Sequence, residues 1–320
     1  MKILIIQTAF LGDVILATAL VEKLKQQHPS CSIDFLLAKG NESLLENHPL
    51  LRKIIVFDKK NKKYSNLIHI LQEVRREKYS HVVNVHRFLS SGLITAFSKA
   101  KYKIGFQKNP LSSLFSKAVD HQINQDSRLH EVDRNQTLIE ELTDSVAAKP
   151  KLYPSISDYE TTTHSAPYIC IAPASIWFTK QLPIDKWIAL IDYFEPQMRI
   201  FLLGSKNDQE LCFNIQKQTK HNNVEVVAGK FSLLQSVALM EKAKMNYVND
   251  SAPQHLASAI NAPLTVFFLS TIPAFGFGPL SDQSMIIETK HTLSCRPCGL
   301  HGKKECPEKH FKCSEIELNL

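Results

Sequence analysis

The sequence predicts an α/β protein built from two Rossmann-like domains in tandem, with a ligand in the cleft where they face each other. Three observations predict it. Short apolar runs of strand length alternate with amphipathic stretches, which is the rhythm of a parallel sheet wrapped by helices. The rhythm breaks over 144–166, a polar, proline-bearing stretch (DSVAAKPKLYPSISDYETTTHSA), and then restarts. The 320 residues suffice for two domains of ordinary size, each with its own core. The domain boundary is placed within the break, giving domains 1–155 and 156–320.

The elements follow in order. The opening MKILIIQTAFLGDVILATAL has one lysine and then apolar residues, as a signal peptide would. Gly12 and Asp13 interrupt the apolar run, however, and a helical pattern follows, so a core strand (2–7), a loop and a helix (14–27) are expected in a cytoplasmic protein. Further strands are predicted at 32–37, 53–57, 81–85 and 103–106, with a helix over 67–77. After the break the order is strand 168–172, helix 184–194, strand 199–204, helix 209–219, strand 224–227, helix 233–242, strand 246–248, helix 254–260 and strand 264–268. In such sheets ligands bind beyond the carboxyl ends of the strands.

Composition narrows the function classes. Hydrophobic residues make up 44% and charged residues 22%, as in a soluble globular protein. No apolar run approaches the roughly 20 residues that cross a bilayer. The net charge is +7, and residues 1–160 hold most of the excess, with 23 Lys and Arg against 17 Asp and Glu. Lys59, Lys60, Lys62, Lys63, Arg75, Arg76, Lys99, Lys101 and Lys103 contribute to it. A basic half suits an anionic partner, such as a phosphorylated glycolipid or a membrane surface; the alternative is a solvated basic face. Nucleic acid is not expected as a partner, because aromatics are only 8% and no binding motif occurs. With 10 glycines and no GxGxxG or P-loop, dinucleotide oxidoreductases and P-loop NTPases are disfavoured. The absence of Asp-x-Asp weakens a metal-assisted phosphosugar site, and the absence of GxSxG disfavours a nucleophile-elbow hydrolase.

Four segments fall at predicted strand ends. In Asn249-Asp250-Ser251-Ala252-Pro253-Gln254-His255 a strand meets a helix, where unpaired N–H groups hold phosphate. Ser251 is expected to cap that helix and Pro253 to suit its first turn, and an ordinary capped helix is the plain alternative. In Leu11-Gly12-Asp13, Gly12 permits close backbone approach, and Asp13 can act as a base on a bound hydroxyl or cap the helix. In the segment 172–183 (APASIWFTKQLP), small residues such as Ser175 leave room for a ligand, and Lys180 either neutralises a diphosphate or is a surface lysine. In Gly204-Ser205-Lys206-Asn207-Asp208, Asp208 either binds ribose hydroxyls or caps a helix.

Together these segments resemble glycosyltransferase family 9, the ADP-heptose:lipopolysaccharide heptosyltransferases, in the family's motif order over nearly the whole chain. LGDVILATALVEKLKQQHP looks like the LGD motif and the helix after it. APASIWFTKQLPIDKW, LLGSKNDQE and NDSAPQHLASAINAPLTVFFLSTIP look like the three donor-side motifs. The resemblance implies the GT-B arrangement, with an N-terminal acceptor domain and a C-terminal nucleotide-sugar domain. It implies that Asp13 is the general base and that Lys180 holds the donor diphosphate. It places Asp250 near the donor sugar, Ser251 and Ala252 under the phosphates and His255 one turn along. It further implies Asp208 near ribose and Phe231 on the adenine. Inverting transfer of heptose from ADP-heptose to the lipid A–core acceptor would need no cofactor, on a cytoplasmic protein held peripherally at the inner membrane; the alternatives are a GT-B transferase with another nucleotide-sugar donor or acceptor, or a non-catalytic sugar-nucleotide or lipid-binding protein of the same fold. Two departures stand out: Ala252 replaces the usual Gly, and Leu182 the usual aromatic before Pro183. Alanine keeps its N–H, so phosphate binding survives if φ stays negative.

Two sets remain open. His86, Arg87 and Arg134 could touch acceptor phosphate or form surface or structural ion pairs. The tail spacing Cys295-x2-Cys298-x7-Cys306-x6-Cys313 could hold one structural zinc, form disulfides or remain reduced. A cytoplasmic location disfavours disulfides. Cys31, Cys170 and Cys212 read as buried thiols.

Overall fold

The computed structural model describes residues 1–124 and 129–318. The chain divides into two compact units, Met1–Tyr153 and Pro154–Leu320. The first contains strands β1 (Lys2–Ile6), β2 (Ser32–Ala38), β3 (Lys53–Phe57), β4 (His81–Asn84), β5 (Tyr102–Phe106) and β6 (Lys117–Val119). Its helices are α1 (Leu11–Gln27), α2 (Lys63–Glu77), α3 (Leu89–Phe97) and α4 (Glu131–Gln136). The second unit contains helices α5 (Ile156–Thr161), α6 (Ile184–Tyr193), α7 (Gln209–Gln218), α8 (Leu233–Lys242) and α9 (Ala252–Ser258). Its strands are β7 (Tyr168–Ala172), β8 (Arg199–Leu202), β9 (Val224–Val226), β10 (Asn246–Asn249), β11 (Leu264–Phe268) and β12 (Ser284–Glu288).

Each unit holds one parallel six-stranded sheet, ordered β3-β2-β1-β4-β5-β6 in the first and β12-β11-β10-β7-β8-β9 in the second. Counted from its own first strand, the second sheet repeats the order of the first. The reversal of strand order falls between β1 and β4 in one unit and between β7 and β10 in the other, with Ile6 beside Asn84 and Val248 beside Ala172. Such switch points open a crevice outside the carboxyl ends of the strands.

The central strands are buried on both faces, which explains their unbroken apolar runs. Ile3, Leu4, Ile5 and Ile6 of β1 have no exposed surface, and all five residues of β7 and of β11 are buried. In the second core Trp187 of α6 meets Phe267 of β11 edge-on, with ring centroids 5.2 Å apart. Cys313 and Ile316 of the tail join this core, which also holds Leu182 and Trp187.

Strands β6 and β12 and helices α3, α4 and α5 are not expected from the sequence. Strands β6 and β12 are edge strands without a buried run, and Met285 and Ile286 of β12 are exposed. The sequence of α3 (LSSGLITAF) carries Gly and Ser, which are poor helix formers. α5 lies inside the segment read as linker, where Ser155 and Asp158 form a reciprocal capping box. Helix α1 begins at Leu11 rather than at residue 14, so Gly12 and Asp13 sit in its first turn instead of a loop. Among the described residues no helix is long and apolar enough to cross a membrane.

Candidate active site

In the first unit, candidate residues gather at the switch point. The chain leaves β1 and enters α1 through extended Phe10. The Phe10 N–H donates to Asp13 Oδ2 at 3.2 Å, so the carboxylate does reach back to the helix entrance. Burial, reinforced by the nearby Glu131 carboxylate, pushes the Asp13 carboxyl up from 3.8 to about 6, against the pull of the backbone N–H groups and Arg87. A base with a pKa near 6 is ionised at neutral pH yet basic enough to accept a proton.

Glu131 opens α4. His121 Nε2 lies 3.0 Å from Glu131 Oε1, and Arg134 Nε donates to Oε2 at 2.8 Å. Burial raises the Glu131 carboxyl, but these partners outweigh it and hold it below the usual range. Arg134 is 4% exposed and also donates to Leu129 O, so it is a structural ion pair rather than a surface cation. Arg87 is exposed and lies over the Phe88 ring.

His86 is 5% exposed, with Nδ1 at 3.2 Å from Thr8 Oγ1 and 3.0 Å from Ser91 Oγ. Burial, then Lys59 and Arg87, push its pKa down to about 3. It is therefore neutral near pH 7 and unsuited to pairing with a phosphate as a cation. Lys59 Nζ donates to Thr8 O at 2.6 Å. The sequence marked Lys59 only as part of a charge excess; the fold brings it to this strand end.

In the second unit, Lys180 and Asp250 meet at the switch point between β7 and β10. Lys180 ends a 3-10 turn (Phe178–Lys180), and its Nζ lies 2.5 Å from Asp250 Oδ2. Thr271 Oγ1 donates to Asp250 Oδ2 at 2.6 Å, and Gln254 Nε2 donates to Oδ1 at 2.8 Å. Asn249 ties the two segments together: its Oδ1 accepts from Leu182 N at 2.9 Å and its Nδ2 donates to Pro173 O at 2.8 Å. Thr271, Asn249 and Gln254 appear in the sequence only as motif letters. Side chains that reach across from a neighbouring element leave no local pattern.

Ser251 departs from expectation. It occupies the N-cap position of α9, but its side chain makes no capping hydrogen bond; Oγ donates weakly to Asn249 O at 3.4 Å. Ala252 is the first helical residue, Pro253 lies in the first turn, and His255 is buried. Ser175 sits in a tight loop, where its carbonyl accepts from Gln181 Nε2 at 2.7 Å. Asp208 Oδ2 accepts from both the N–H and the hydroxyl of Ser205, so it forms the cap that was the alternative to ribose binding. Phe231 is half-buried just before Ser232, the N-cap of α8.

The tail thiols are free: Cys313 is buried, and Cys295, Cys298 and Cys306 are half-buried. Cys295 Sγ is 3.9 Å from His310 Nε2, and Cys298 Sγ donates to Cys295 O. Among the described residues no group of three or more His, Cys, Asp or Glu side chains is gathered to hold a metal ion, although burial raises the Cys313 thiol and Cys298, Cys306 and Cys295 all lie near enough to raise it further.

The family model "Glycosyltransferase family 9 (heptosyltransferase)" matches residues 67–312. Lipopolysaccharide heptosyltransferase 1 of Campylobacter coli is 25% identical, over 99% of this chain and 94% of that protein. The solved glycosyltransferase family 9 structure from Veillonella parvula superposes with a TM-score of 0.80 at 22% identity, over 98% of this chain and 96% of the other. Escherichia coli ADP-heptose lipopolysaccharide heptosyltransferase II gives 0.78 at 20% identity, over 93% and 96%. The fold is thus the GT-B type, two Rossmann-like domains in one chain.

Proposed function

Since the chain belongs to glycosyltransferase family 9, we propose that it transfers heptose from ADP-heptose to the lipopolysaccharide inner core, with inversion at the anomeric carbon. The observation that carries the donor reading is the placement of Lys180 and Asp250 together at the switch point of the second sheet, where open α/β sheets take nucleotides. ADP-heptose appears in the name of the Escherichia coli relative, and lipopolysaccharide in the names of both heptosyltransferases.

The first unit supplies the base and the second holds the donor. Asp13 takes the proton of the acceptor hydroxyl as its oxygen attacks the anomeric carbon of heptose. The bond from that carbon to the β-phosphate oxygen breaks, and its electron pair leaves with ADP. Lys180 stabilises the charge gathering on the diphosphate, helped by the backbone N–H groups of Ser251 and Ala252. Asp250 orients the donor sugar and His255 supports it from the next turn. Ser175 and Gly12 leave room for the substrates, Phe231 packs on adenine, and Asp208 lies by the ribose through the loop it caps. With the leaving charge met by a lysine and amides, catalysis needs no metal. Arg87, beside the base and exposed, contacts acceptor phosphate; His86 and Arg134 support that face from within. The basic first half faces the anionic lipid A–core glycolipid, with the protein peripheral to the cytoplasmic side of the inner membrane.

The test is calorimetric titration with ADP-heptose, and in parallel with UDP-glucose and NAD, without added metal. Selective binding of ADP-heptose, lost in Lys180→Ala, supports the reading. Equal binding of UDP-glucose, or binding that survives Lys180→Ala, contradicts it.

A further inference from the structure

We infer that the tail segment through Gly302 and Lys303 is a strap that positions Lys180, and that Gly302 and Thr179 are positioning residues for donor binding. This rests on the proposal that Lys180 holds the donor diphosphate. The turn that carries Lys180 is bound to the tail at several points. The Thr179 N–H donates to Lys303 O at 3.1 Å, and the Lys303 N–H donates to Thr179 Oγ1 at 2.8 Å. Thr179 is 1% exposed, and the buried Ser270 hydroxyl donates to the same Oγ1 at 3.0 Å. The Cys298 N–H donates to Ser270 O at 2.9 Å, which fixes the tail to the end of β11. On the other side Phe178 packs against Phe311, with ring centroids 5.0 Å apart.

Gly302 sits at the centre of this clasp. Its φ is +74°, and a Cβ there would lie 2.8 Å from Lys180 Cγ, 3.0 Å from Cδ and 3.1 Å from Trp177 Cβ. The bare backbone of Gly302 is therefore a wall against the aliphatic stem of Lys180, and a side chain there, strained at this φ, would have to push that stem aside. A lysine stem loses rotamer freedom when its ammonium is fixed on an anion. A wall that removes the alternatives beforehand lowers that cost at the moment of binding. Cys313 and Ile316 anchor the far end of the tail in the same buried core that holds Leu182, two residues after Lys180.

The experiment is calorimetric titration with ADP of the full-length protein and of Gly302→Ala, Gly299→Ala, Lys180→Ala and the double variant Lys180→Ala/Gly302→Ala. Gly299 is the control: its φ is +106° with nothing within 4 Å, so alanine there brings similar backbone strain without touching Lys180. The strap predicts that Gly302→Ala raises the Kd for ADP about 3- to 10-fold, that Gly299→Ala leaves it unchanged, and that Gly302→Ala adds nothing once Lys180 is alanine. Equal effects at Gly302 and Gly299, or the same loss with and without the lysine, overturn the strap alone. An unchanged Kd in Lys180→Ala overturns the donor lysine and the strap with it. If thermal melts show Gly302→Ala unfolded, Thr179→Val takes its place: it removes the hydroxyl that joins Lys303 and Ser270 and is expected to show the same coupling to Lys180.

Discussion

Lys180 and Asp250 form an ion pair at 2.5 Å, with side chains only 13% and 7% exposed. The pair joins the turn after β7 to the end of β10, and Thr271 and Gln254 fix the carboxylate side. A diphosphate arriving at Lys180 must share the ammonium with Asp250 or displace it. Breaking a buried pair from one side strands the other charge and costs about 3–5 kcal/mol. Asp250→Ala is therefore expected to lower stability in urea unfolding by an amount at the low end of that range. ADP affinity should be kept or rise, because the carboxylate no longer competes. An ADP affinity that falls as far as in Lys180→Ala would show that Asp250 organises the anion site itself.

The raised pKa of Asp13 sets a pH dependence. A base must be ionised, so kcat/KM is expected to rise with pH through an apparent pKa of about 6. Asp13→Asn should lose about 10²–10⁴-fold in turnover and abolish that limb. The folded carboxyl lies above its ordinary 3.8, so folding takes up protons between about 4 and 6. Its contribution to stability is full below that window and is lost as pH rises through it. Unfolding measured across this range in wild type and Asp13→Asn checks the sign: only the wild type should show the decline assigned to this group.

Glu131 and His86 separate the possible origins of the same limb. Glu131 raises the pKa of Asp13, so Glu131→Gln is expected to move the acidic limb to lower pH. His86, with a pKa of about 3, is neutral throughout, so His86→Gln should leave the limb where it is, whatever it does to the rate. A limb that vanishes with His86 would reassign the titrating group. The pH profiles of the two variants decide between them.

Asn249 has no exposed surface and spends both ends of its amide on backbone groups of the segment that carries Lys180. Asn249→Ala leaves the Leu182 N–H and the Pro173 carbonyl unpaired, at about 1–3 kcal/mol each. Urea unfolding should show a loss of about that size, with weaker ADP binding as the segment loosens. Weaker stability with unchanged ADP affinity would confine Asn249 to a structural role.

Sequence legibility followed burial. The ten strands read from the sequence lie in apolar runs, whereas the edge strands β6 and β12 have no continuous buried face to write such a run. Asp13, Lys180 and Asp250 stand out in the sequence because they follow strands at which the chain must turn. The partners that tune them do not. Glu131 reaches Asp13 from α4, Thr271 reaches Asp250 from beyond β11, and Gly302 reaches Lys180 from the tail. Each is distant in sequence and marked by no local period. Ser251 shows the converse: its type and place suited a cap, yet its hydroxyl turns to the carbonyl of Asn249.

The most direct test of heptosyl transfer with Asp13 as base is release of ADP from ADP-heptose, in the presence of a heptose-deficient lipid A–core acceptor and a metal chelator. ADP is expected to form only when donor and acceptor are both present, and Asp13→Asn to slow it by about 10²–10⁴-fold with the Kd for ADP-heptose unchanged. Near-normal turnover by Asp13→Asn, or dependence of the wild type on added metal, would contradict it.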